Sequence, residues 1–191
     1  MTLSDIAERD DPVRAWLSLP RRIYLDTSTL QNLYDFGGEI FEGESFKPVG
    51  RAARVQGLAA QIDALQMIFM INQRAMFEFV VTEASLREVI NRTRPGYTQW
   101  VCDVLDTCLI QSGGEERPTP GKTFEDRRFG MISVKDRRLL QEALDWRCDA
   151  FMTMERRLPT EAAFIERQTG LRIMRPTTYW DLLSRLARLY Y

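Results

Sequence analysis

Four acidic residues, Asp26, Glu88, Asp136 and Glu155, stand at separate points of a 191-residue chain that contains no histidine. Each has a positional meaning. Asp26 ends the apolar run Arg22-Ile23-Tyr24-Leu25, and Glu88 lies in a helical stretch after the apolar run from Met76 to Val81. Asp136 opens a further helical stretch, and Glu155 follows the short apolar run Ala150-Phe151-Met152-Thr153. An order of elements that gathers these acids would assemble an all-oxygen donor set, which suits hard divalent cations such as Mg²⁺ or Mn²⁺. Ions held in that way can activate water and stabilise the leaving oxygen of a phosphodiester. Gathering like charges is costly unless a cation or a raised pKa relieves the repulsion, so convergence would itself argue for a ligand.

The missing histidine narrows the chemistry further. Ser-His-Asp and Cys-His catalysis, His-ligated zinc hydrolysis and histidine-dependent ribonuclease chemistry are all excluded. Cys102, Cys108 and Cys148 are odd in number and have no C-x-x-C spacing, so neither a disulfide framework nor a zinc ribbon is indicated, and buried free thiols are the simpler reading. A formal net charge of −1 lacks the global basicity of a protein that coats nucleic acid. Only Lys47, Lys122 and Lys135 are lysines, and the remaining basic residues are arginines, whose planar forks suit phosphate. Arg127, Arg128, Lys135, Arg137 and Arg138 cluster around Asp136 and would either grip a nucleic-acid backbone or form a solvated face. Pro120-Gly121-Lys122-Thr123 invites a phosphate-loop reading, but Glu116 stands where that motif needs its first glycine, and the reading is rejected.

The elements that would position the acids follow from periodicity. Apolar strands are predicted at 21–25, 76–81, 150–153 and 171–174, alternating with helices, which means an α/β fold with a mainly parallel sheet covered on both faces. Helical spacing runs from Val55 to Gln73, from Ala84 to Asn91 behind the cap residue Thr82, and from Thr98 to Ile110. It returns after Asp136, from Pro159 to a closing Gly170, and from Thr178 to Tyr190. Gly37 to Gly57 reads as a long loop or flap, and Ser112 to Gly130 as a second insertion. One domain over 1–191 is expected. With no span of membrane length and no secretory pattern at the start, a cytoplasmic location is expected.

Each acid also has an ordinary explanation. Asp26 reads equally as a helix cap, and Asp136 as a first-turn acid favoured by the helix dipole. Glu88 reads as a solvated partner of Arg87, Arg92 or Arg94, and Glu155 as a partner of Arg156 or Arg157. Thr153 is either a water-positioning hydroxyl or a β-branched strand residue. Glu83 and Asp149 lie near enough to replace an assigned acid.

Taken in order, these segments resemble the PIN-domain nucleases. "LDTS" at Asp26 is similar to the family's first acidic motif, and "VVTEASLREV" to its second, where the offset from Thr82 selects Glu88 over Glu83. "VKDRRLLQEAL" resembles the third motif and "CDAFMTMERRL" the fourth, which usually reads Thr-x-Asp or Thr-x-Asn and here ends in Glu155, nineteen residues after Asp136. "LRIMRPTTYWDLL" is similar to the family's last strand and helix, so the resemblance covers about 21–183. It implies a three-layer α/β/α sandwich and a Mg²⁺- or Mn²⁺-dependent endoribonuclease. It further implies metal ligands at Asp26, Glu88, Asp136 and Glu155, with Thr153 placing a water. Many members are VapC-type toxins paired with a small antitoxin, so RNA is the implied substrate and an antitoxin an implied partner. Two other readings stand beside this one: a non-catalytic RNA- or protein-binding module that keeps the acids as caps, and a nuclease directed at DNA. The final helix, with Trp180, Leu183, Leu186, Leu189 and Tyr190, would pack on the core or form a homodimer contact.

Overall fold

The computed structural model describes residues 12–50, 52–75, 77–82, 85, 88, 96–111 and 131–189. Helix α1 (Pro12–Ser18) leads into strand β1 (Arg22–Leu25), which is followed by α2 (Thr27–Asp35), α3 (Gly37–Phe41) and the long α4 (Leu58–Ala75). Strand β2 (Glu78–Val80), α5 (Tyr97–Gln111), α6 (Val134–Asp145) and β3 (Ala150–Met152) come next. A 3₁₀ turn at Leu158–Glu161 precedes α7 (Ala162–Thr169), β4 (Arg172–Met174), α8 (Pro176–Leu183) and a closing 3₁₀ turn at Ser184–Leu189.

The four strands form one sheet in the order β2-β1-β3-β4, with every pair parallel. Their residues alternate between two cores, as the two-residue period of a strand requires. Ile23, Leu25, Phe79, Ala150, Met152 and Met174 join the core made with α4 and α8, while Tyr24, Val80, Phe151 and Ile173 join the one made with α6 and α7. Helices therefore cover both faces, which is why the strands read as unbroken apolar runs. Across the second face the Tyr24 and Phe151 rings stack with centroids 5.2 Å apart and 7° between planes.

Strand order sets the location of the crevice. The chain runs from β1 to β2 on one side and later places β3 on the other, so succession reverses between β1 and β3. In open parallel sheets a ligand crevice lies beyond the carboxyl ends of the strands at such a reversal.

Several expectations need correction. The predicted flap from Gly37 to Gly57 contains α3, whose Ile40 is buried, and the Phe36 and Phe46 rings meet with centroids 5.4 Å apart. Three apolar residues, Phe36, Ile40 and Phe46, supply a packing face among the glycines. Asp136 does not open its helix: Ser133 occupies the N-cap and accepts from the Asp136 amide, placing Asp136 at the third helical position. The helix predicted over Pro159–Thr169 begins as the 3₁₀ turn and closes on Gly170, whose φ of 84° is the left-handed value that a side chain would strain. Pro176 is the first residue of α8, where its missing N–H costs no helical bond. Leu183 and Leu186 are buried in the core that α8 helps to build.

Glu83, most of the helix predicted over 84–91, the Ser112–Gly130 insertion with its Pro120–Thr123 string, Arg127, Arg128, Tyr190 and the side chains of Cys108 and Leu189 lie outside the described residues. Among the described residues no helix is long and apolar enough to cross a membrane. Cys102 and Cys148 are free, and burial pushes the Cys148 thiol up, so it is an inert packing group.

Candidate active site at the carboxyl ends of the strands

Asp26 follows β1 directly, and its amide continues the ladder by donating to the Met152 carbonyl at 3.0 Å. Its backbone stands in the N-cap position of α2, yet the side chain makes no capping bond. The carboxylate instead accepts two hydroxyls on one oxygen: Ser28 Oγ at 2.6 Å and Thr153 Oγ1 at 2.7 Å, both to Oδ2. Both bonds fall on the same oxygen, so Oδ1 is left out of this pair. Asp26 is 5% exposed. Burial raises its pKa, the Ser28 and Thr153 hydroxyls pull it back, and the charge of Glu88 raises it again.

Three successive residues behind β1 each tie a different segment. Asp26 binds Thr153. Thr27 Oγ1 donates to Glu88 Oε2 at 2.7 Å, and Ser28 Oγ accepts from the Met154 amide at 3.0 Å. The strand-to-helix turn is thereby joined both to the helical residue Glu88 and to the chain leaving β3. Thr153 carries the network one step further by accepting from the Glu155 amide at 3.1 Å.

Glu88 is held from a second direction. Tyr24, fully buried on the sheet, shares hydrogen bonds with Thr82 Oγ1 at 2.8 Å and Ser85 Oγ at 3.0 Å. Burial raises the phenol against those two bonds, so Tyr24 remains neutral and acts as a structural hydroxyl. Since Ser85 precedes Glu88 by one helical turn, this bond sets where Glu88 begins. Lys135 Nζ lies 2.7 Å from Glu88 Oε2, which brings the first turn of α6 to the same place.

Asp136 and Glu155 are more loosely tied. Asp136 accepts Ser133 Oγ on Oδ2 at 2.7 Å, a local bond within the cap of α6 that accounts for its position without a ligand. Glu155 is exposed, but its carboxyl is raised by desolvation and by the charges of Asp26, Asp136 and Glu88, with Lys135 opposing. Glu155 thus registers all three other acids, and the four share one electrostatic environment at this edge of the sheet.

Asp149 does not belong to it. Its Oδ2 accepts the Arg21 and Arg22 amides, each at 2.9 Å, and its amide donates to the Arg22 carbonyl, so it closes the amino ends of β1 and β3. Glu83, the other substitute weighed from the sequence, lies outside the described residues. Ser28, Thr27 and Lys135 were not singled out as site residues by the sequence. The Asp-Thr-Ser string carried the signal for the first two.

The donors that the described side chains offer a cation here are oxygens, among them one buried carboxylate, and this chemistry fits a hard divalent ion. Among the described residues no three carboxylates or thiols already form a metal-holding group. Glu88 faces Lys135, and Asp136 faces its own cap. Lys135, Arg137 and Arg175 add positive charge around this edge, and the Nε atoms of Arg137 and Arg175 are buried without a hydrogen-bond partner among the described residues. No protein-family model, curated protein or solved structure matches the chain, so the chemical reading of this crevice rests on its own geometry.

Proposed function

We propose that the chain is a PIN-like, Mg²⁺- or Mn²⁺-dependent endoribonuclease that hydrolyses phosphodiester bonds at this crevice. The observation that carries the reading is Asp26, a buried carboxylate at the carboxyl end of a central strand, oriented by two hydroxyls and pushed toward protonation. Such a group is a poor structural element and a good ligand: the desolvation that penalises its charge is relieved by a cation. In this reading Asp26 and Glu88 hold the ion, with Asp136 and Glu155 as further ligands, directly or through water. When bound, the ion would neutralise the phosphate and activate water.

The chain's own residues supply orientation and proton handling. Ser28 and Thr153 aim the Asp26 carboxylate, and Thr27 fixes Glu88. Glu155, with its raised pKa, is suited to take the proton of the attacking water. Water adds to phosphorus, the bond to the 3′ oxygen breaks, and that oxygen leaves with a proton, giving 5′-phosphate and 3′-hydroxyl ends. Attack by the RNA's own 2′-hydroxyl would instead leave a cyclic phosphate. The test is cleavage of end-labelled RNA with Mn²⁺, with end-group analysis and Asp26→Asn beside the wild type. Cyclic ends, or full Mn²⁺-dependent activity in the variant, would overturn the proposal. A toxin role with an antitoxin partner is supported only by the resemblance of the motifs.

A non-catalytic binding module is the second reading, favoured by the pairing of Glu88 with Lys135 and by the local cap that occupies Asp136. Calorimetric titration with Mn²⁺ separates the two. Heat that disappears in Asp26→Asn supports the enzyme, and no Asp26-dependent heat supports the module. A single-stranded DNA substrate run beside the RNA tests direction toward DNA.

A further inference from the structure

Lys135 is the second residue of α6, next to Asp136, and its ammonium meets Glu88 Oε2 at 2.7 Å. That oxygen also accepts the Thr27 hydroxyl, so two donors already hold it. The two side chains differ in access: Glu88 is 12% exposed and Lys135 53%. The same ammonium pulls against the like charges that raise Glu155. One cation on a flexible stem, reaching in from solvent, therefore serves two of the four acids.

Ammonium suits a counter-ion that must leave. It is a compact, strongly hydrated charge on a four-carbon stem, whereas a guanidinium would clamp a carboxylate with a planar fork. The lysine end of the pair is half-exposed and returns to water when released, so its exchange for a divalent ion that keeps Glu88 neutralised costs little. We infer that Lys135 is a tethered counter-ion of the proposed centre, neutralising Glu88 while no divalent ion is bound, yielding to that ion, and setting the concentration at which the site fills. The inference rests on the metal-dependent reading above. A lysine that merely braces α6 against the Glu88 segment would behave differently: its loss would lower stability and leave metal affinity unchanged or weaker.

The test is calorimetric titration of Mn²⁺ into the metal-free full chain at fixed ionic strength, comparing wild type, K135Q, K135R, R138Q and D26N. K135Q should bind with a Kd lower by roughly five- to tenfold, a usual size for coupling between two binding events. K135R, whose fork grips Glu88 more firmly, should bind more weakly than wild type and carries the test if K135Q does not fold. R138Q, which removes an exposed charge on the same helix, should stay close to wild type. Affinity in K135Q equal to or weaker than wild type overturns the inference, as does equal tightening in R138Q, which would reduce the effect to a long-range field. Absence of Asp26-dependent binding in the wild type is a different failure, since it removes the proposed function and the inference together.

Discussion

Asp26 and Asp149 cap opposite ends of the same pair of strands. Asp26 joins the carboxyl ends of β1 and β3 through Thr153, and Asp149 joins their amino ends through the Arg21 and Arg22 amides. One acid faces the crevice and the other fastens the sheet. Asp149→Ala should therefore lower stability by about 1–2 kcal/mol, the usual cost of amides deprived of their acceptor, and leave the Mn²⁺ isotherm unchanged. Weakening of Mn²⁺ binding comparable to that of Asp26→Asn would move Asp149 into the site.

The pH dependence of the metal-free protein follows from the raised carboxyls of Asp26 and Glu155. A group whose folded pKa lies above its unfolded value contributes stability that is fully present below the unfolded value and lost as pH rises through the folded one. Metal-free protein should therefore lose stability as pH climbs from the ordinary carboxylate range toward neutrality. Asp26→Asn should flatten that loss and melt higher than wild type at pH 7. Thermal melts from pH 4 to 8 measure this, and a variant that melts lower at every pH would contradict it. Mn²⁺ at one hundred times its Kd should return about 2.7 kcal/mol to the wild type.

Thr153→Val keeps the shape of a fully buried side chain but removes the donor to Asp26 and the acceptor for the Glu155 amide. Destabilisation of about 1–3 kcal/mol is expected, together with weaker Mn²⁺ binding. Thr153→Ser, which keeps the hydroxyl, should recover most of the affinity. Equal affinity in Thr153→Val and wild type would show that the hydroxyl does not position Asp26.

Tyr24→Phe leaves the stacked ring on Phe151 in place and deletes one hydroxyl. Thr82 Oγ1 and Ser85 Oγ, both buried, then lose a shared partner at a cost of about 1–3 kcal/mol. Because Ser85 lies one turn before Glu88, cleavage should fall by more than the loss of folded protein explains. Denaturant unfolding and RNA cleavage on the same sample separate the two effects.

The strands and their parallel arrangement were legible because burial on both faces writes itself as short apolar runs, seen in Ile23–Leu25 and Ala150–Met152. Less legible was which end of a strand an acid serves. Asp149 precedes β3 and Glu155 follows it, and because β3 runs parallel to β1 the first lies at the amino edge shared with Arg21 and Arg22 and the second at the crevice. Ser133 is legible in the sequence, since Ser-x-x-Asp is a capping pattern that accounts for the place of Asp136 in the first turn. In the sequence Lys135 is one of a basic group, and its contact with Glu88 depends on how α6 docks, which no local pattern encodes.

Placing β1 between β2 and β3 has a consequence for synthesis. Thr153, which completes the crevice opposite Asp26, is 127 residues downstream, and the Tyr179 hydroxyl that binds the Pro20 carbonyl at 2.8 Å is 159 residues away. Contacts of such separation form slowly and only after their loops have closed. On the ribosome, β1 emerges early but has an open edge until β3 follows it out of the exit tunnel. A nascent chain halted before residue 150 carries Asp26 with no Thr153 to orient it, so the crevice is completed only when most of the protein has been translated.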